Sequence, residues 1–458
     1  MVNDDISKPW LLIPIETKHR ELYGKIFLAL TAAERGFRVL LGEQNAMLAQ
    51  LENLPAGIYL DKSVGRTKLR YFERLMKQGS LIVAWCEEGL VYRDREAYLH
   101  ERVSREALEM TEKFFAWGKT QASDISDQAP ESVSKIEITG NPRFDMLRPE
   151  LRGIFKPVAD ELVSKYGHYI LINSNFSRYN HFMGYDSWIL SLKERGTIKD
   201  NGQLEFYYRW REFLGRVFCG FVEVIPELVS AFPDRTFILR PHPSEDHDAW
   251  RRITSGLPNF KVIHDGNAIP WITGADAVIH NSCTTGLEAY LLERPVIAYR
   301  PVTDNIFDSY LPNAISHEAS NGKELIDTVH SLLNGTTQPI SNADKEVKRY
   351  ISALDGPFAA DQIADFLAKI AKTPMSSKKR LLNTMHISVT NLTLTSKPIL
   401  RSMFRRGKIT SYARQKFSGI KISEVQDIVT QLSNKSGRFL RTTITLSPFK
   451  NCFQIEML

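Results

Sequence analysis

Three short stretches bring together side chains able to do chemistry. Cys86-Glu87-Glu88-Gly89 sets two carboxylates side by side directly after the apolar run 81–85. A carboxylate at the end of a strand can take a proton from an acceptor hydroxyl, or attack as a nucleophile in a double displacement. The same pair would also serve as ordinary acidic residues at a helix start. Arg240-Pro-His-Pro243 ends the run 236–239. Its prolines stiffen the chain, and Arg240 with His242 forms a cationic pair suited to a phosphate ester; a plain proline-bounded turn is the alternative. Asn281-Ser-Cys-Thr-Thr-Gly286 lies between the apolar run 277–280 and a helical segment at 287–292. Small hydroxyl residues at a strand-to-helix turn hold phosphate through side chains and helix N-terminal amides. Asn281, Ser282, Thr284, Thr285 and Gly286 are therefore assigned to a phosphate site together with Arg240, His242 and Pro243.

Four further groups are assigned around these. Glu288, near the start of that helix, either compensates the helix dipole or accepts hydrogen bonds from ribose hydroxyls. Asn173, Ser174 and Asn175 follow the apolar run 169–172 and are placed beside the same phosphate site. Gly140-Asn-Pro-Arg-Phe-Asp145 offers Arg143 and Asp145, read either as substrate contacts or as an ion pair bracing a linker. Glu16 and Arg20, in the polar turn after the first apolar run, are read as substrate contacts.

The elements that must position these residues alternate along the chain. Strand runs at 10–15, 37–41, 57–60, 81–85, 114–117 and 136–139 are separated by helical spacings at 22–34, 71–78 and 101–113. A second series has strands at 169–172, 236–239, 262–264, 277–280 and 295–299, with helical segments at 187–230, 324–333 and 361–370. Alternation of this kind predicts α/β architecture with parallel sheets. Two Rossmann-like domains facing a cleft are expected, the N-terminal one at 1–155 and the C-terminal one at 156–375, with a basic C-terminal extension at 376–458. The first βα turn lacks the glycine fingerprint of dinucleotide sites.

Composition narrows the class. Hydrophobic residues make up 43% of the 458 and aromatics 10%, as in globular proteins. The four cysteines are far apart with no CxxC pair, which fits a reduced, cytoplasmic setting and suggests neither a zinc site nor a disulfide framework. No HExxH, GxSxG or GxxxxGK[ST] motif and no convincing acidic metal pair is present, so no metal is expected. The apolar runs are too short for a membrane span. The net charge of +6 is uneven: 376–458 holds 15 Lys and Arg against 3 Asp and Glu, while the rest holds 44 against 50. A tail so basic suits peripheral contact with the anionic inner membrane face, or is a solvated appendage packed on the body; no nucleic acid is expected.

Taken together, LLIPIETKHREL, CEEGLVY, TGNPRFDMLRP, LRPHP and HNSCTTGLEAYLLERPVIAYRP resemble the bacterial surface carbohydrate (surface polysaccharide) biosynthesis protein family. The resemblance covers nearly the whole chain. More distantly the sequence is similar to two-domain glycosyltransferases of GT-B architecture, namely CDP-glycerol glycerophosphotransferases, capsule Kdo transferases and polysialyltransferases. Those likenesses imply that His242-Pro243 with Ser282, Thr284 and Thr285 binds the phosphate of a cytidine nucleotide, and that Gly140, Pro142, Arg143 and Asp145 match a family element. The His-Gly dipeptide of the glycerophosphotransferases is missing, with Glu87-Glu88-Gly89 near its place, which disfavours glycerol-phosphate transfer. The resemblance implies no cofactor, a nucleotide-sugar donor such as CMP-Kdo, and a glycan or lipid-linked acceptor. A sugar-nucleotide epimerase or hydrolase, and a non-catalytic glycan-pathway protein, are the competing expectations.

Overall fold

A computed structural model of the chain describes residues 8–372 and 417–458, apart from positions 93 and 195. The chain divides into two units, Met1–Leu90 with Arg95–Ile154 and Lys348–Leu458, and Val91–Asp94 with Phe155–Val347.

The first unit is built on parallel strands β1 (Trp10–Ile15), β2 (Arg38–Glu43), β3 (Ile58–Asp61), β4 (Leu81–Ala84), β5 (Lys113–Ala116) and β6 (Ile136–Ile138). They lie in the order β2-β1-β3-β4-β5-β6. Leu11, Leu12, Ile13 and Leu41 have no exposed surface, as expected of parallel strands covered on both faces. The order reverses between β1 and β3, and ligands of open α/β sheets bind outside the strand C-termini at such a switch point.

The second unit carries β7 (Tyr169–Asn173), β8 (Thr236–Arg240), β9 (Phe260–Val262), β10 (Ala277–His280), β11 (Val296–Tyr299) and β12 (His317–Ala319), ordered β12-β11-β10-β7-β8-β9 and all parallel. Its switch point falls between β7 and β10. The 31-residue helix Asn201–Ala231 packs Phe213, Phe221, Ile225 and Leu228 into the core beside Ile170 and Ile172.

The structure differs from the sequence reading at several joints. Residues 101–113 form two helices, Arg95–Arg102 and Arg105–Glu109, because Ser104 accepts the Ala107 N–H and starts the second. The 187–230 segment likewise divides, with Asp200 capping Asn201–Ala231 by accepting the Gln203 N–H at 2.8 Å. The described residues from Lys348 onward lie with the first unit, where a second domain running to 375 was expected. Helix Ala359–Ala371 packs on the first helix, Lys18–Glu34, and Phe27 of that helix meets Phe358 and Phe439 edge-on at 5.3 and 5.9 Å.

The described end of the tail also belongs to this body. Helix Ile422–Ser436 buries Val425, Ile428 and Leu432, and β13 (Thr442–Leu446) and β14 (Cys452–Met457) form a hairpin that adds antiparallel to β2. Of the tail 376–458, to which membrane contact was assigned, the stretch 376–416 lies outside the described residues.

Candidate active and donor sites

In the first unit, the turn after β4 is locked by its neighbours. The Glu87 N–H donates to the Lys62 carbonyl at 3.0 Å, and the Trp117 Nε1–H donates to the Cys86 carbonyl at 2.6 Å. The two carboxylates then part company. Glu87 is 6% exposed, accepts from Trp85 Nε1 at 2.9 Å and lies 3.5 Å from Lys25. Lys25, itself buried, also pairs with Glu21 at 2.7 Å and donates to the Pro14 carbonyl. Glu21 accepts the N–H groups of Glu16 and Thr17, both at 3.0 Å, and so shapes the turn after β1. Burial opposes its ionisation, but Lys25 and Arg20 outweigh it and hold Glu21 down at about 2.

Glu88 instead has half of its side chain exposed and pairs with Arg20 at 2.9 Å. Arg20 before all, with Arg102 and Arg143, holds this carboxylate well below the usual range. Across the β1/β3 switch, Lys62 bonds Glu16, so that expected substrate contact is partnered within the protein. Reading the sequence gave no role to Lys25, Lys62 or Arg102. Lys25 was discoverable, lying one helical turn beyond Glu21.

The Gly140–Asp145 element divides its residues too. Asn141 caps the short helix Pro142–Asp145 by accepting the Arg143 N–H at 3.0 Å. Asp145 is buried, and its two oxygens accept the N–H groups of Ala359 and Ala360, both at 2.9 Å. It is the cap of helix Ala359–Ala371 rather than a substrate contact or the ion-pair partner of Arg143. Burial raises its pKa to about 7 against the pull of those hydrogen bonds.

In the second unit the ends of β7, β8 and β10 are cross-linked. Glu245, 2% exposed, accepts from Ser174 Oγ at 2.9 Å, from the Phe176 and His242 N–H groups at 3.0 Å, and from Trp250 Nε1 at 2.8 Å. Burial raises its pKa, although all these donors favour the ionised form. Asn281 Oδ1 accepts the Asn175 N–H at 2.8 Å, spanning the switch point between β10 and β7. Asn173, 4% exposed at the end of β7, has a buried Nδ2 with no hydrogen-bond partner among the described residues. Glu245 had no place in the sequence reading, since nothing in Ser-Glu-Asp-His-Asp marks which acid turns inward.

His242 is exposed, and its Nδ1 accepts the Ser244 N–H at 3.1 Å. In the neutral ring this leaves the proton on Nε2. Pro243 sits half-buried beside it.

Arg240 corrects the sequence reading. Its guanidinium donates to the carbonyls of Asp265 and Gly266 at 2.7 and 3.1 Å, lies 5.0 Å from the Trp271 ring and is 6% exposed. Burial brings its pKa down to about 10. It braces the 265–266 loop, and the rim position expected of it belongs to His242.

The Asn281–Gly286 turn forms as the spacing predicts, but its helix begins earlier, at Thr284. Ser282 has φ of 52° and a hydroxyl 2.9 Å from Asn313 Nδ2. The Cys283 thiol lies against the Thr285 and Gly286 amides and 2.7 Å from the Thr285 hydroxyl, and burial raises its pKa to about 11. Thr284 and Thr285 remain half-buried at the helix start. A Cβ on Gly286 would sit 2.4 Å from the buried His280 ring, so only glycine lets the helix close onto β10. Glu288 is the fifth residue of Thr284–Leu291 and is 3% exposed. It therefore lies beyond the first turn, where neither the dipole nor the ribose role places it.

Among the described residues no group of three or more His, Cys, Asp or Glu side chains gathers as a metal site, and no helix is long and apolar enough to cross a membrane.

Two parallel α/β units, each with polar residues at its switch point, define the GT-B class of fold. Solved structures similar to the chain include the wall teichoic acid polymerase TagF, at 12% identity over 81% of this chain and 92% of that one, with a TM-score of 0.53. A TagF variant soaked with CDPG gives the same identity and TM-score over 81% and 90%. S. aureus MnaA with UDP is 14% identical over 80% and 98%, at a TM-score of 0.48. No family model and no curated protein matches the sequence. At identities this low, the likeness to TagF shows the fold alone.

Proposed function

We propose that the protein is a glycosyltransferase of surface polysaccharide biosynthesis, moving a sugar from a nucleotide donor, with a CMP-sugar such as CMP-Kdo favoured, to a glycan or lipid-linked acceptor. The observation carrying this reading is the second unit's switch point. Three strand ends are tied together there by Glu245 and Asn281, and the buried Asn173 Nδ2 is left with an unmet donor. A donor that finds no acceptor inside the protein costs about 1–3 kcal/mol, and a phosphate or ribose oxygen would meet it. His242 Nε2–H and the hydroxyls of Thr284 and Thr285 supply further donors for the leaving phosphate. The cytidine preference rests on the HP and Ser/Thr motifs.

On the first unit, Glu88 is the carboxylate that reaches solvent and is assigned as general base. As the acceptor oxygen bonds to the anomeric carbon, the bond from that carbon to the phosphate oxygen breaks and the hydroxyl proton passes to Glu88. Glu87, bound to Trp85 and Lys25, positions the turn. No metal is given a role. The basic tail 376–458 is assigned to peripheral contact at the cytoplasmic face of the inner membrane.

A thermal-shift series with CMP, CDP, UDP and GDP tests the donor assignment. The cytidine nucleotides should raise Tm. A rise with UDP alone overturns the cytidine assignment, and no rise with any of the four overturns the nucleotide site. Turnover of a nucleotide sugar without acceptor would replace the transferase reading with an epimerase or hydrolase.

A further inference from the structure

The carboxylate assigned as base is paired directly with a guanidinium. Arg20 stands in the first turn of helix Lys18–Glu34 with Nη1 2.9 Å from Glu88 Oε1, and its second nitrogen is 3.6 Å from Glu21. Its buried Nε has no partner among the described residues. Gly24, one turn further along the same face, has no side chain, and a Cβ there would lie 2.7 Å from the Arg143 backbone nitrogen. The missing side chain lets Arg143 seat directly against the helix that carries Arg20, where its side chain is half-buried. Arg102 ends helix Arg95–Arg102 and is exposed, and both it and Arg143 act on Glu88 through space. Beneath them, Glu21 and Glu87 share Lys25. Arg20 thus holds the solvent-exposed carboxylate directly, and the positive charges of Arg102 and Arg143 act on it from further off.

We propose that Arg20, Arg102 and Arg143 form a seat for an oxyanion carried by the acceptor, and that Glu88 occupies this seat until the acceptor arrives. The inference rests on the transferase reading and specifies the acceptor as anionic, bearing a phosphate or a carboxylate. Guanidinium forks suit either group. The incoming oxyanion draws Arg20 away from Glu88. The released carboxylate is then the stronger base, and the acceptor hydroxyl is already beside it. A neutral acceptor would leave Glu88 clamped and a weak base.

The test is calorimetric titration of the full chain with inorganic pyrophosphate and, separately, with glucuronate. A Thr284→Ala/Thr285→Ala background removes phosphate contacts on the second unit. In that background Glu88→Gln should tighten pyrophosphate binding about three- to tenfold, because the internal competitor is gone. Arg102→Ala/Arg143→Ala should weaken it about tenfold, and Arg102→Ala alone, at an exposed position, should move it the same way. Stronger binding of pyrophosphate than glucuronate names phosphate as the acceptor group, and the reverse names carboxylate. Unchanged or weaker binding in Glu88→Gln, or indifference to both arginine changes, overturns the seat. If the arginine variants keep their thermal shift with CDP in the presence of Thr284 and Thr285, that failure leaves the donor site standing; loss of every nucleotide shift in the unmodified protein sinks the transferase reading itself.

Discussion

The strand ends of the two sheets meet the same requirement with opposite electrostatics. At the first, side chains are held by full charges: Lys25 between Glu21 and Glu87, Lys62 on Glu16, and Arg20 on Glu88. At the second, one buried carboxylate, Glu245, accepts from hydroxyl, indole and backbone donors, while Asn281 ties the neighbouring strand through an amide. The difference suits the two tasks proposed for them. A base and an anion seat need charges that can be exchanged. A nucleotide pocket needs fixed dipoles that hold phosphate without reorganising.

The sharpest way to break this contrast is to separate the adjacent glutamates. Glu88→Gln should lower kcat by about 10²–10⁴-fold with little change in the urea unfolding midpoint, whereas Glu87→Gln should act mainly on that midpoint. Equal losses of activity at normal stability would give both residues chemical roles. Next in size, Lys25→Met leaves Glu21 and Glu87 buried without their shared cation, and should cost about 3–5 kcal/mol in urea unfolding. In the second unit, Glu245→Gln turns an amide N–H₂ toward groups that already donate. It should cost about 1–3 kcal/mol and weaken nucleotide binding, measured by the CDP thermal shift.

The smallest effects are in the pH dependence of stability, and the first unit should show two of opposite sign. Glu21, held down at about 2 from its usual 4.5, adds stability that is complete above 4.5 and lost as pH falls toward about 2. Asp145, raised from 3.8 to about 7, binds more protons folded than unfolded, so its contribution falls as pH rises across that window. Glu21→Gln should flatten the acid limb and Asp145→Asn the decline toward neutrality, both read from unfolding midpoints against pH. A single limb unaffected by either change would contradict these assignments.

Much of the fold was legible because short apolar runs bounded by polar turns recur with helical spacing between them. What local pattern could not show depends on distant partners. Asp145 caps a helix more than two hundred residues later in the chain, and the period of its own segment carries no trace of that. Glu245 becomes a hub only once β7 and β8 lie side by side. Arg240 misled because a strand end was equated with the rim, whereas the last four residues of Thr236–Arg240 are all buried and the side chain stays in the layer. In the tail, net charge drew attention from the alternation in Thr442–Leu446 and Cys452–Met457, which completes the first sheet. The turn at 281–286 was legible where small residues separate a strand from a helix, but the inward turn of the Cys283 thiol was not.

Hydrogen-exchange mass spectrometry of the full chain with and without CDP tests the division of labour most directly. Exchange should slow in peptides covering 173–176, 242–247 and 281–286, with the turns at 16–20 and 86–89 unchanged. Protection confined to those first-unit turns would place the nucleotide on the wrong unit and contradict it.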